Sequence, residues 1–448
     1  MRDLTQGSIP RHVVALAVPM AAGMLLQTLY FFVDLYFVAQ LGDAAIAGVS
    51  AAGNLMFVVF FLTQMLSVGS VAMVSHAVGR KDRDAANHIF NQSVAIGALC
   101  ALVTVAGGYA IVGPYMQFFG ADEPMRAAGS TFLWWFIPSM ALQFPIVVMG
   151  SGLRGTGIVK PTMVVQALTV LLNVVLAPIL IAGWGTGKPL GVAGAGLAST
   201  LATAVGVVVL VAYFIRLEHY VEFDRAQWRP KLATWARMLN IGLPAGGEFG
   251  LMAVFVSVMY WAARDFGAAA QAGLGVGMRT NQMILVPALV LAFAAAPIAG
   301  QNFGARNWGR VRETFRVAVL YGAVVMAVLT LIVQWQAESL ARIFTADPAV
   351  IAVAATLLTY LSWNFIPAVV TFTCSSLFQA MGNTWPAFGA SAIRIVIFVV
   401  PALWMAHQPW FELRHIFILS VATVFVHCTI AYLWLQAEMR KRLASPPG

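Results

Sequence analysis

Residues 9–42 read IPRHVVALAVPMAAGMLLQTLYFFVDLYFVAQLG, and this stretch decides the fold. From Val13 to Val38 it is apolar for longer than the roughly 20 residues that a helix needs to cross a bilayer core. Within those limits it holds a single proline, Pro19, and a single carboxylate, Asp34. In lipid every backbone polar group must find a partner inside its own segment, so a run of this length is a helix and not a strand. Eleven similar runs follow. The expected limits are 13–38, 48–78, 89–115, 128–150, 161–183, 190–215, 238–263, 272–302, 315–336, 349–375, 386–406 and 415–436. The expected fold class is an all-α integral membrane protein with twelve transmembrane helices.

Composition agrees. The 448 residues are 60% hydrophobic and 10% charged, with a mean hydropathy of +0.84, whereas soluble domains carry about 25% charged residues. Net charge is +9. On a soluble chain that would suggest nucleic acid, but here the basic residues sit in short loops, where they set orientation. With the N-terminus inside, the outer loops hold only Arg126, Lys188, Arg264, Arg342 and Arg414. Arg279 and Arg394 lie within spans, which leaves nineteen of the 26 Lys and Arg on the inner side. The expectation is a multi-pass protein of a bacterial inner membrane with both termini cytoplasmic. No cleavable signal peptide is expected, because the first apolar run is too long for one.

The longest loop, 216–237, leaves no room for a soluble catalytic domain and reads as a tether between two halves. There is no Walker sequence, CxxC, HExxH or dinucleotide fingerprint, so neither enzyme chemistry nor a cofactor is expected beyond a coupling ion, H+ or Na+. Cys100, Cys374 and Cys428 all fall inside apolar runs and read as buried thiols.

The halves repeat at a spacing of 225. Pro19 matches Pro244, and Gly42, Ala44, Ala45, Ala47 and Gly48 match Gly267, Ala269, Ala270, Ala272 and Gly273. Gly79 matches Gly304, Phe90 matches Phe315, and Gly157 and Pro161 match Gly382 and Pro386. Each half holds six spans, an even number, so the two enter the membrane the same way up. This is the pattern of parallel repeats in secondary transporters, with a central cavity between lobes. The expected division is a lobe at 1–216, a linker at 217–237 and a lobe at 238–448.

Charge inside a membrane is costly and marks function by default. Of seventeen carboxylates only Asp34 and Glu248 lie clearly inside spans. Gln27, Tyr30 and Asp34 share one helical face, downstream of Pro19, a hinge candidate. An apolar setting favours the neutral form of a carboxyl, which suits proton exchange. Glu248 follows Pro244, and the matching first-half position is Gly23, so this acid belongs to one lobe alone. Asn173 is mid-span and reads as a cation ligand or an interhelical contact, with Ser199, Thr200 and Thr203 as weaker oxygens. Arg279, with Asn281 and Gln282, is expected to line a cavity or neutralise Glu248. Arg394 is expected to pair or snorkel. His427 is a proton-relay candidate or a satisfied core histidine, and His76 reads as packing. Twenty methionines and 12% aromatic residues would suit an adaptable cavity for flat hydrophobic ligands.

Several stretches resemble the multidrug and toxic compound extrusion (MATE) transporters. They are GSIPRHVVALAVPMAAGMLLQTLYFFVDLYFVAQLG at the start, VSHAVGRKDRDAAN after the second span and PIAGQNFGARNWGRVRE after the eighth. SGLRGTGIVKPT and FQAMGNTWPA are similar to the paired motifs after spans four and ten. The resemblance implies two six-helix lobes around a V-shaped cavity, and export of cationic or amphiphilic drugs against proton or sodium flow. The family's first-helix acid falls on Asp34 and its fifth-helix Asn on Asn173, the pair that would hold sodium. A second polar residue common one turn later is replaced by Ala177, and span ten has no acid. The expected function is a multidrug antiporter coupled to protons, with sodium as the other candidate ion, working as a monomer with small molecules and membrane lipid as its partners. The alternative is a lipid-linked saccharide flippase of the same fold superfamily. A membrane enzyme or an uncoupled channel fits the repeat and the lone buried carboxyls less well.

Overall fold

The computed structural model describes residues 2–444 other than 121 and 186, and the side chains of all of these except 28–35, 443 and 444. Regular structure among the described residues is entirely helical. The helices are α1 (Ile9–Ala39), α2 (Asp43–Gly53), α3 (Leu55–Gly79), α4 (Arg83–Phe119), α5 (Glu123–Gly155), α6 (Lys160–Ile181), α7 (Val192–Arg216) and α8 (Leu232–Ala263). They continue with α9 (Ala268–Ile284), α10 (Val286–Gly304), α11 (Trp308–Arg342), α12 (Pro348–Leu361), α13 (Phe365–Ala380), α14 (Trp385–Met405) and α15 (Leu413–Ala444). Twelve segments among them are long and apolar enough to cross a bilayer. The protein is an all-α integral membrane protein.

Three spans expected to be continuous are broken. The run 48–78 divides into α2 and α3 at Asn54, and 272–302 into α9 and α10 at Leu285. The run 349–375 divides into α12 and α13 around the 3-10 turn Ser362–Asn364. Pro287 and Pro367 lie just inside α10 and α13, and each removes one i→i−4 hydrogen bond. Asn54 and Leu285 keep right-handed dihedrals (φ −62, ψ −28 and φ −77, ψ −10). The breaks therefore shift hydrogen-bond register without reversing the chain.

The chain forms two compact units. The first comprises residues 1–3 and 18–242, and the second residues 4–17 and 243–448. Inside helices the change of unit falls at 17/18 and 242/243, beside Pro19 in α1 and Pro244 in α8. In the first unit α5 is the central helix, packed against α2, α3, α4 and α7. In the second, α13 packs against α10, α11 and α15, and α12 against α9 and α11.

The 225-residue repeat is written into the backbone. Left-handed glycines recur at Gly42 and Gly267 (φ 101 and 87) and at Gly157 and Gly382 (φ 81 and 72). Among the described residues the two non-glycine residues with positive φ, Lys81 (60) and Arg306 (59), stand at the same offset, where α3 and α10 end. Glycine takes such angles without steric cost. A Cβ added at Gly48 would meet the Met125 carbonyl and the Gly129 amide of α5. One added at Gly273 would meet Val353 and the Val350 carbonyl of α12. Position 350 is 125 plus 225, so the same helix crossing is closed twice by the same small residue.

Segments outside the spans are docked. Between α7 and α8 the chain lies along α4, held by two fully buried amides, Asn91 and Gln92. Asn91 donates to the Glu222 carbonyl (2.9 Å) and accepts from the Asp224 amide and the Trp228 indole (both 2.9 Å). Gln92 donates to the Arg229 carbonyl (2.9 Å) and accepts from the Lys231 amide (2.8 Å). In the second unit the Leu4 amide donates to Gln301 (2.9 Å), and Asn302 and Arg310 donate to the Leu4 carbonyl (3.1 and 3.2 Å).

Candidate functional site

Intramembrane polar groups lie in both units, on scaffolds that match. In the first unit, α6 buries Asn173 completely. Its amide donates to Ser199 Oγ on α7 (3.4 Å). Thr203 donates to the Ser199 carbonyl (2.7 Å), and Ser139 of α5 shares a hydrogen bond with Thr203 Oγ1 (3.0 Å). The structure thus brings Asn173, Ser199 and Thr203 together and adds Ser139. Thr200 is partly buried and donates instead to the Trp135 carbonyl (2.5 Å). Ala177, one turn after Asn173, is fully buried and supplies no side-chain oxygen. Gln27 is exposed on α1. The side chains of Tyr30 and Asp34 lie outside the described residues.

A second polar cluster of the first unit lies at the end of α5. Arg154 donates to Ser67 Oγ of α3 (2.7 Å) and to Ser151 Oγ (2.9 Å), and Ser151 donates to the Val147 carbonyl (2.6 Å). The sequence places Arg154 in an inner loop, whereas it belongs to the last turn of a spanning helix. No ion pair among the described residues includes it.

In the second unit Glu248 sits on α8, partly buried, facing α13. Ser375 Oγ lies 3.1 and 3.0 Å from its two carboxylate oxygens. Gln379, one turn further along α13, donates to Ser375 Oγ (3.3 Å). A hydroxyl has one proton to give and a carboxylate about four lone-pair sites. The ionised acid therefore keeps unused acceptor sites among the described residues. Arg279 is exposed on α9, and no ion pair among the described residues joins it to Glu248. Asn281 beside it is partly buried and Gln282 exposed.

Arg394 is partly buried on α14, and no salt bridge among the described residues includes it. Its guanidinium carbon lies 4.9 Å from the Phe255 ring centroid of α8, and its Nε is buried with no hydrogen-bond partner. His427 Nε2 on α15 is 3.3 Å from Ser391 Oγ on α14. Ser67, Ser151, Ser375 and Gln379 carry no signal of their own in the sequence. Serine in a helix normally satisfies itself on the preceding turn, and only the tertiary structure shows which ones face a charge. The offset of 225 is the one usable hint, since it sets Ser375 and Gln379 opposite Gly150 and Arg154.

A polytopic helical membrane protein built as a tandem repeat, with lone polar groups on matched helices, defines a class also met among known proteins. The MatE family profile matches this chain twice, at residues 19–179 and 244–405, and the two matches start 225 residues apart. The chain belongs to the MatE family. It is 24% identical to the probable multidrug resistance protein YoeA of Bacillus subtilis (strain 168), over 97% of this chain and 95% of the relative. It is 21% identical to the FAD transporter of Shewanella oneidensis, over 89% and 88% of the two chains. A crystal structure of MATE in complex with MaL6 superposes over 99% of both chains with a TM-score of 0.92 at 21% identity, and so shares the fold.

Proposed function

We propose that this protein is a secondary active multidrug exporter that moves cationic or amphiphilic small molecules out of the cell by antiport with protons. The observation that carries the reading is Glu248. It is a carboxyl inside a spanning helix, close to a single hydroxyl donor and with no cationic partner among the described residues. Such a group can exchange a proton as its surroundings change. Sodium prefers several oxygens in one cage, and Ser375 adds only one to the carboxylate. Asp34 and Asn173 form the corresponding coupling set in the first unit. Membership of the MatE family, and a relative named as a multidrug resistance protein, support export.

On this reading protonation and substrate binding alternate, and Pro19 and Pro244 act as hinges where the chain changes unit. The protein would work as a monomer in a bacterial inner membrane with both termini cytoplasmic, an orientation that the Lys and Arg asymmetry supports. The test is uptake of ethidium into inverted vesicles under an imposed proton or sodium gradient. Uptake driven by protons and lost in Asp34→Asn or Glu248→Gln supports the reading. Uptake driven by sodium alone keeps export and rejects the proton. No uptake under either gradient removes drug export and favours a lipid-linked substrate.

A further inference from the structure

We propose that Arg394 forms a receptor for a carboxylate carried by an amphipathic organic substrate. The proposal rests on the export reading and extends it from cationic substrates to those that also bear, or only bear, a negative group.

The argument starts from position. Arg394 is nine residues from one end of α14 and eleven from the other. At 1.5 Å per residue that is about 14 and 17 Å of helix, further than its side chain reaches, so the charge stays within the membrane's apolar depth. A charge there needs compensation. Salt bridges among the described residues do not include it. Its guanidinium carbon lies over the face of Phe255 at 4.9 Å, a cation–π interaction that compensates only in part. The Nε–H is buried and unpartnered, a donor left vacant in a place where vacancies are costly.

The surroundings are built for an anion. Ser391, one turn before Arg394, shares its helical face and reaches His427 on α15. His427 lies within electrostatic range of Arg394. Phe255 provides a flat apolar wall. These groups occur in one unit only, since positions 169 and 202 of the first unit carry Thr169 and Ala202. Glu248 is seven residues before Phe255 on α8, or about 10 Å along the axis. A planar guanidinium with a free N–H pairs best with a carboxylate, in a forked, charge-assisted geometry. A lipid headgroup carries similar oxygens but stays at the interface, whereas a drug-sized solute reaches mid-span.

The experiment uses the full-length protein in nanodiscs of neutral lipid, with carboxyfluorescein as the anionic probe and ethidium as the cationic one, both read by fluorescence anisotropy. Arg394→Met should weaken carboxyfluorescein binding about tenfold or more, as expected for loss of one charge-assisted contact, and leave ethidium binding within about twofold. Arg394→Lys, which keeps the charge but not the fork, should recover part of the loss. The proposal is overturned if wild type does not bind carboxyfluorescein, if Arg394→Met binds it as wild type does, or if both dyes are lost together. Nanodiscs containing anionic lipid provide the second arm. Competition by that lipid would assign the site to a headgroup and overturn the solute reading. Ethidium uptake in vesicles stands apart, so failure of export and failure of the anion site are read separately.

Discussion

The two units share a backbone and differ in the charge they bury. Left-handed residues, helix crossings and prolines recur at 225, yet the polar triad does not. The second unit carries Glu248, Ser375 and Gln379, and the first carries Gly23, Gly150 and Arg154 at the matching positions. One unit holds an acid near a serine, and the other a cation held by two serines. A Cβ at Gly23 would run into the amide of Gln166, so the acid of the second unit has no room in the first without a shift of that side chain. Packing constrains what the repeat must keep. The interior polar positions are free to diverge, and that is where a symmetric scaffold acquires different jobs.

The sharpest way to break this comparison is to remove the acid. Glu248→Gln keeps shape and hydrogen bonding but cannot exchange a proton, and proton-driven ethidium uptake should fall to background while the protein stays folded by thermal aggregation midpoint. Uptake at the wild-type rate would leave coupling to the first unit alone. Ser375→Ala removes the donor beside Glu248. A hydrogen bond to a charged group is worth about 1.5–3 kcal/mol, so uptake should drop roughly tenfold, and Gln379→Ala, one step removed, should cost less. Gly48→Leu and Gly273→Leu should each destabilise by about 1–3 kcal/mol through overpacking, and by similar amounts, since both close the same crossing. A large disparity in their unfolding midpoints would show that the repeat is not mechanically equivalent. The smallest effect is expected at Lys81→Gly and Arg306→Gly. Relief of left-handed strain, about 1–2 kcal/mol, is about half offset by the entropy that glycine loses on folding, about 0.5–1 kcal/mol, so both variants should be slightly more stable.

The spans were legible because apolar length is a one-dimensional signal. The repeat was legible because residues such as Gly157 and Gly382 are fixed by a left-handed backbone that few other residues adopt. The breaks at Leu285 and Ser362–Asn364 were not read, since Pro287 and Pro367 sit in runs that remain apolar throughout. Glu248 and Asn173 stood out as polar groups in apolar surroundings. Ser375 did not, because its partner is 127 residues away in sequence. Arg154 was read as a loop charge because helix ends drift by several residues in any hydropathy reading. Arg279 was read as lining a cavity or neutralising Glu248, and of these the ion pair to Glu248 is not among the described salt bridges.

The docking of Leu4 has a consequence in time. Its amide is held by a glutamine 297 residues downstream. At synthesis rates of about 5–20 residues per second, roughly 15–60 s separate the appearance of this segment from that of its resting place. Throughout that interval Leu4 must wait with its final partner unmade. Synthesis of α10 and the start of α11 is thus what fastens Leu4.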